Sequence, residues 1–181
     1  MGWNYLHVTK GTKVEEIFKK EFEYTNETKG SYTKVIACKS TPTEAYLAID
    51  CNGDVYGLVC LINRRKNEYC NFGYKSIDEY SHPYYYNTPK SILDLLTPTL
   101  DDNANTWREK CYENIARNEQ KKALVFGDNI KFDKPVSFGK YGKCSTFQVD
   151  NIKKGHFFAN ELGIMIKLNK AYINNNTWSK I

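Results

Sequence analysis

Apolar residues in the first half of the chain recur at every second position within short runs, and turn residues separate these runs. This alternation is typical of half-buried β-strands. It predicts strands over residues 2–8, 32–38, 44–51, 54–63 and 68–74. The dipeptide Asn52-Gly53 links two of them, because both residues tolerate the positive φ of a tight hairpin turn. The pattern therefore predicts an antiparallel meander of four or five strands.

A spacing of three and four residues between apolar positions predicts helices in the same part of the chain. The predicted helices begin at Thr12, at Thr88 and at Asp101 or Asp102. The first carries the capping-box sequence Thr12-x-x-Glu15. The second has Pro89 at its first helical position, where the missing N–H costs nothing. We expect these helices to cover one face of the meander.

Beyond residue 118 the pattern changes to short apolar segments separated by glycines. The polar stretch 118–122 predicts a linker between an α+β domain, residues 1–118, and a basic β-rich subdomain, residues 119–181. The predicted segments of the second part are 124–126, 129–132, 136–138, 144–149, 155–158, 162–168 and 171–173. Short, evenly spaced strands of this kind favour a small curled sheet or partial barrel. The tail from residue 174 is expected to fray unless Trp178 docks.

The composition of the chain bears on its contact surfaces, on membrane insertion and on metal binding. The chain has fourteen tyrosines, which suit either half-buried strands or a contact surface. No apolar run approaches the length of a membrane span, and the first residues lack the pattern of a signal peptide. The six cysteines show no C-x-x-C spacing, so we expect reduced core thiols and no metal site.

Charge is distributed unevenly along the chain. The formal net charge is +5, but residues 121–181 carry eleven lysines against four carboxylates, which gives +7 there and about −2 before it. One interpretation is a basic face for an acidic partner, such as a phosphate backbone or an acidic protein groove. The other is that the lysines solubilise a small β-rich segment and protect its edges.

Ten residues form the candidate set for binding nucleic acid or a protein partner. They are Arg64, Arg65, Lys66, Lys131, Lys134, Lys140, Tyr141, Lys143, Lys153 and Lys154. Lysines can hold phosphates, and the nearby Phe157 and Phe158 can stack on bases or belong to the core. The arginines occupy a predicted hairpin tip and can grip phosphate or carboxylate with two hydrogen bonds.

No catalytic signature is present, and the sequence implies no cofactor. His7, His82 and His156 lie far apart and share no motif. The segment Gly139-Lys140-Tyr141-Gly142-Lys143 lacks the spacing of a phosphate-binding loop, so we interpret it as a glycine-rich turn. We therefore expect a non-enzymatic protein. The alternative is a small hydrolase or nucleotide-modifying enzyme that uses a Cys–His pair.

Several segments of the first 118 residues carry a resemblance to a known family. They are Gly2-Trp3, Asn71-Phe72-Gly73-Tyr74-Lys75, Pro89-Lys90-Ser91-Ile92-Leu93, Leu96-Thr97-Pro98-Thr99 and Asn105-Thr106-Trp107-Arg108-Glu109-Lys110-Cys111. They resemble an uncharacterised family found on phages, plasmids and conjugative elements of gut Firmicutes. The chain is also similar to type II-A anti-CRISPR proteins, which inhibit Cas9 and touch DNA.

This resemblance implies a mobile-element or viral counter-defence protein in the cytoplasm of a bacterial host. Its expected partner is a Cas9-type effector, with or without guide RNA, or double-stranded DNA, or both. No membrane partner is expected. The resemblance supplies no catalytic residue. A structural interaction module of the element's transfer machinery is a further alternative.

Overall fold

A computed structural model describes residues 2–64 and 70–181, with the side chains of all of these except Lys170, Asn174 and Asn175. Two compact units, Met1–Ile115 and Ala116–Ile181, make up the chain. Each contains an antiparallel sheet with helices, which confirms the predicted α+β class.

The first unit begins with strands and one helix, followed by two further helices. The elements are β1 (Asn4–Leu6), α1 (Val14–Phe22), β2 (Tyr24–Asn26), β3 (Ser31–Ser40), β4 (Glu44–Cys51), β5 (Asp54–Asn63), β6 (Phe72–Asp78), α2 (Lys90–Leu93) and α3 (Asp102–Lys122), of which the part from Ala116 belongs to the second unit. Six strands form one sheet in the order β1-β6-β5-β4-β3-β2. The β4–β5 hairpin turns through Asn52 and Gly53, with φ of 55° and 94°, as the sequence predicts.

Helices cover both faces of this sheet, whereas the sequence indicated one. Ile17 and Phe18 of α1 pack in a core with Leu47 and Ile49 of β4. On the other face, Trp107 of α3 packs in a core with residues of β4, β5 and α2. The reason lies in β4 itself, because all five residues Ala45–Ile49 are buried and neither side of the strand can face water.

Local side-chain chemistry corrects three further expectations in this unit. Lys13, not Thr12, is the N-cap of α1, and the Thr12 hydroxyl donates to the Thr9 carbonyl instead of forming a capping box. Pro89 is the N-cap of α2, and the Thr88 side chain is buried. The predicted linker 118–122 is the last part of α3, since nothing in that polar stretch breaks a helix.

A buried ion pair anchors α3. The Arg108 guanidinium donates to both carboxylate oxygens of Glu79 at 2.7 Å and to the Thr97 carbonyl at 2.7 Å. Glu79 also accepts from the Gly57 amide at 3.2 Å and is completely buried. Thus the Glu79–Arg108 pair joins α3 to the segment before it, through the Arg108 bond to Thr97, and to β5, through the Glu79 bond to Gly57.

The second unit contains a sheet of five strands and one short helix. Its elements after α3 are β7 (Asn129–Ser137), β8 (Lys143–Asn151), β9 (His156–Ala159), β10 (Ile164–Lys167), α4 (Lys170–Asn175) and β11 (Trp178–Lys180). The strand order is β10-β9-β8-β7-β11. Phe132, Phe147 and Phe157 are the largest fully buried side chains of its core.

Two predicted strands of this unit are wrong. Residues 171–173 lie in α4, where the Asn169 side chain accepts from the Ala171 amide as an N-cap. Residues 124–126 form a turn, in which Asp128 accepts from the Val125 amide at 2.9 Å. The tail is ordered by β11, because Trp178 docks in the core and pairs with Phe132 of β7.

Within residues 2–64 and 70–181, no helix combines the length and the apolar composition needed to cross a bilayer.

Candidate nucleic-acid interface

A tight turn between β8 and β9 presents two of the predicted lysines. The Asn151 side chain accepts from the Lys154 amide at 3.0 Å, and the Gly155 amide donates to the Ile152 carbonyl at 3.2 Å. Gly155 has φ of +68°, and an added Cβ would lie 2.7 Å from the Leu168 carbonyl oxygen. Glycine is therefore required here both by the backbone conformation and by the close approach.

The same glycine fixes the turn to the junction between β10 and α4. The Leu168 amide donates to the Gly155 carbonyl at 3.0 Å. In the β9–β10 ladder, His156 and Lys167 stand directly opposite each other. The β8–β9 turn and the end of β10 therefore lie next to each other, although they are more than ten residues apart in sequence.

Four basic side chains meet at this place. Lys153, Lys154, His156 and Lys167 line an open groove of about 610 Å³, together with Leu168 and Asn169. We call these six residues the basic groove. Its three lysines are exposed. A volume of this size is enough for a group as large as a nucleotide.

The charges of the basic groove are largely uncompensated. Among the described residues, no ion pair joins Lys153, Lys154 or Lys167 to a carboxylate. Asp150 lies beside His156, with its Oδ2 3.9 Å from the His156 Nδ1. Lys180, by contrast, lies 2.8 Å from Asp128 and, with the Val125 amide, lowers the pKa of that carboxyl group. The groove thus offers positive charge to an anion.

A partly apolar sheet face adjoins the groove. Phe157 is fully buried in the core, but its neighbour Phe158 points to the opposite face and is partly exposed. Phe158 stands opposite Gln148 of β8 and Met165 of β10 in the ladders, and Met165 is 53% exposed. We call these three residues the Phe158 face. His156 and Lys167 continue the same face by one step, because side chains two residues apart share a side of a strand.

The remaining predicted lysines of the second unit lie elsewhere on the sheet. Lys140 and Tyr141 occupy the turn between β7 and β8, with the Lys140 ammonium 5.1 Å from the centre of the Tyr141 ring. Lys143 begins β8, so about 26 Å of strand separates it from the β8–β9 turn. Lys131 and Lys134 are exposed on β7. The structure therefore does not gather all the lysines into one surface.

The predicted arginine patch belongs to the first unit. Arg64 follows β5 and lines a second pocket with Gly11, Thr12 and Phe72. Arg65 and Lys66 lie outside the described residues.

Sequence reasoning missed Lys167 and His156 as groove residues. Lys167 is absent from the predicted candidate set, and the sequence presents His156 only as an isolated histidine. A signal was present, because Asn160 and Gly163 mark a hairpin turn, and pairing outward from that turn brings residue 156 opposite residue 167.

Four of the six cysteines have the properties of structural thiols. Burial raises the pKa of Cys38 and of Cys111 to about 11, and it raises the pKa of the Cys60 and Cys144 thiols as well. A nucleophilic cysteine needs the opposite shift, since the thiolate is the reactive form. These four thiols are therefore poor nucleophiles at neutral pH.

A comparison of the chain with known protein families gives one match. The chain is similar over residues 98–171 to a domain of unknown function, DUF6927, which is less than half of its length. This match contains α3, the sheet of the second unit apart from β11, and the whole basic groove. No curated protein and no solved structure matches the chain.

Proposed function

We propose that this protein is a non-enzymatic counter-defence protein of mobile genetic elements, of the anti-CRISPR type. It acts in the bacterial cytoplasm by binding a Cas9-type effector complex through the nucleic acid that this complex contains. The observation that carries the proposal is the basic groove, where three exposed lysines and a histidine converge without a carboxylate partner for the lysines among the described residues. The resemblance of the first 118 residues to a mobile-element family supports the counter-defence role, and the similarity to type II-A anti-CRISPR proteins supports the choice of effector.

The charge of the chain defines the mode of inhibition. A protein that imitates DNA must be acidic, but this chain has a formal charge of +5. A basic inhibitor has to bind an acidic surface instead. Guide RNA and DNA in a Cas9-type complex present such a surface, because their backbones, paired and unpaired, carry phosphate charge. The proposed ligand is therefore the nucleic acid of the complex, with double-stranded DNA as the simplest probe.

The condition of the thiols also favours binding over catalysis. An enzyme using a Cys–His pair needs a thiolate that a neighbouring base can generate. Burial instead holds the Cys38 and Cys111 pKa values at about 11. Function should therefore survive replacement of His82 and His156 by alanine, except for the contribution of His156 to the groove.

Two triple variants with the same loss of charge test the proposal. They replace by alanine either Lys153, Lys154 and Lys167, here the groove triple, or Lys131, Lys134 and Lys143, here the control triple. Net charge falls by three in both, so only the placement of the lysines differs. Capture by purified Cas9, with and without guide RNA, and inhibition of target cleavage are the measurements.

Wild-type protein should bind the guide-loaded effector and inhibit cleavage. Binding to duplex DNA should weaken at least about tenfold between about 50 and about 200 mM salt, because each phosphate contact releases counterions. The groove triple should lose most of this binding and inhibition, and the control triple should keep them. Absence of capture in both guide states, or equal losses in the two triples, would overturn the proposal.

A further inference from the structure

The sheet face beside the basic groove has a composition that phosphate binding does not explain. Phe158 and Met165 form a cross-strand pair and take no part in the core formed by the described residues of this unit. A large apolar side chain left on an open sheet face loses the stabilisation that burial would give. In this sheet the apolar pair sits directly next to the row formed by His156 and Lys167.

Amide side chains lie on the β8 side of the apolar pair. Gln148 stands opposite Phe158, and Asn129 stands opposite Gln148 in the next strand. The Asn160 side chain donates to the Asn129 side chain at 3.4 Å. Amides both donate and accept hydrogen bonds, so they can pair with the edges of unpaired bases. The face therefore combines a ring for stacking, polar groups at its border and cations at one end.

This combination distinguishes single strands from duplexes. In a duplex the base faces are stacked on each other, and a flat sheet meets only the backbone. A single strand can turn its bases toward the protein while its phosphates remain with the lysines. The lysines of the groove, Lys153, Lys154 and Lys167, require a ligand with negative charge next to the stacked ring. The phosphates of a nucleic-acid strand supply this charge.

We propose that the Phe158 face and the basic groove together bind single-stranded nucleic acid, with a base stacked on Phe158 and the adjoining phosphates held by the groove lysines. This inference rests on the proposed function and specifies its ligand. In a Cas9-type complex the corresponding segment is a displaced DNA strand or an unpaired stretch of guide RNA.

Fluorescence anisotropy with labelled strands of about twelve nucleotides tests the inference, a length within the range that small β-sheet domains cover. The probes are oligo(dT), oligo(rU), an abasic strand with the same phosphates, and a duplex. Wild-type protein should bind oligo(dT) or oligo(rU) more tightly than the abasic strand and the duplex. Either order between the two base-bearing strands supports the inference and identifies the preferred sugar.

Phe158→Ala provides the specific readout. It should weaken binding of the base-bearing strands about 5- to 150-fold, which corresponds to the loss of one stacked base, and leave the abasic strand unchanged. Phe158→Tyr keeps the ring and should restore the affinity. If Phe158→Ala fails to fold, Met165→Glu at a 53% exposed position is the substitute, with at least about fivefold weaker binding expected from loss of apolar contact and added repulsion.

The outcomes separate this inference from the proposed function. Equal affinity for base-bearing and abasic strands, or unchanged binding in Phe158→Ala, overturns stacking on the Phe158 face. The proposed function then still stands if the groove triple loses Cas9 binding. Salt-independent binding of every probe overturns the phosphate contact that both share.

Discussion

Gly155 is the residue on which the shape of the basic groove depends. Gly155→Ala combines a left-handed backbone conformation, φ of +68°, with a Cβ placed 2.7 Å from the Leu168 carbonyl oxygen. We expect this variant to lower the free energy of unfolding by about 3 kcal/mol, since both the strain and the overpacking count. Denaturant unfolding measures the loss, and binding to the groove should weaken as well.

Gly163→Ala is the matched control within the same unit. Gly163 has φ of +61°, but no described heavy atom lies within 4 Å of a Cβ added there. Only the backbone strain remains, which predicts a loss of about 1 to 2 kcal/mol. If the two variants were equally destabilised, the close approach of Leu168 would not hold.

The Glu79 carboxylate is the second residue with a large expected effect. Glu79→Gln removes the charge that compensates the Arg108 guanidinium, which is only 14% exposed. Breaking a buried pair from one side predicts a loss of about 3 to 5 kcal/mol. Glu15→Gln is the comparison, because the Lys19–Glu15 pair is about half exposed and should contribute less than about 0.5 kcal/mol. Similar losses in chemical unfolding would contradict the structural role of Glu79.

At the scale of elements, α3 owes its position to Trp107. The indole is buried and donates to the Tyr85 carbonyl at 3.0 Å, and its ring lies against Gly57, where an added Cβ would approach to 2.9 Å. Trp107→Ala should lower the free energy of unfolding by about 3 to 5 kcal/mol because it leaves a large cavity. Glu113→Ala, on an exposed position of the same helix, should stay within about 0.5 kcal/mol. A small loss in Trp107→Ala would mean that α3 is held by other contacts.

Elements whose boundaries are set by local chemistry were predictable from sequence. The strands β4 and β5 run over the predicted residues, because Asn52-Gly53 fixes both the turn and the register. The missed strand β2 and the misassigned helix α4 depend on partners outside their own short segments. Tyr24 pairs with Thr33, and Ile173 of α4 packs in the core of the second sheet. Segments of three to six residues carry too little periodicity to be recognised alone.

The candidate site was only half predictable for a related reason. A count of lysines identifies a basic region but not which end of a strand each lysine occupies. Lys143 and Lys153 both count as lysines of the basic region, yet Lys143 begins β8 and Lys153 lies just beyond its other end. The hairpin turns contain the missing information, because they determine which residues face each other. Applying the pairing rule outward from Gly163 would have joined Lys167 to His156.

At the scale of the whole molecule, groups that resist ionisation are concentrated in the first unit. Burial raises the pKa of Cys38 and Cys111 to about 11 there. The Tyr46 and Tyr74 hydroxyls have raised pKa values too, chiefly through burial and also through hydrogen bonds to Glu44 and Glu21. In the second unit burial raises the pKa of the Cys144 thiol, but its described residues contain no comparable group of thiols and phenols with raised pKa values.

This distribution predicts that alkali destabilises the first unit before the second. In the unfolded chain thiols ionise near pH 8.5 and phenols near pH 10, while the folded groups stay protonated. The unfolded state therefore binds fewer protons, and stability falls as pH rises from about 8 toward 11. Each thiol such as Cys111, with its pKa raised to about 11, should contribute a loss of about 2 kcal/mol by pH 10. Hydrogen exchange of residues 44–63 and 143–159 as a function of pH measures the two units separately.

The variant Cys111→Ala tests the cause. Its stability at pH 7 should be lower than that of the wild type, but the decline of its stability between pH 8 and 10 should be smaller. An unchanged decline would show that the buried thiols and phenols do not control the loss of stability in alkali.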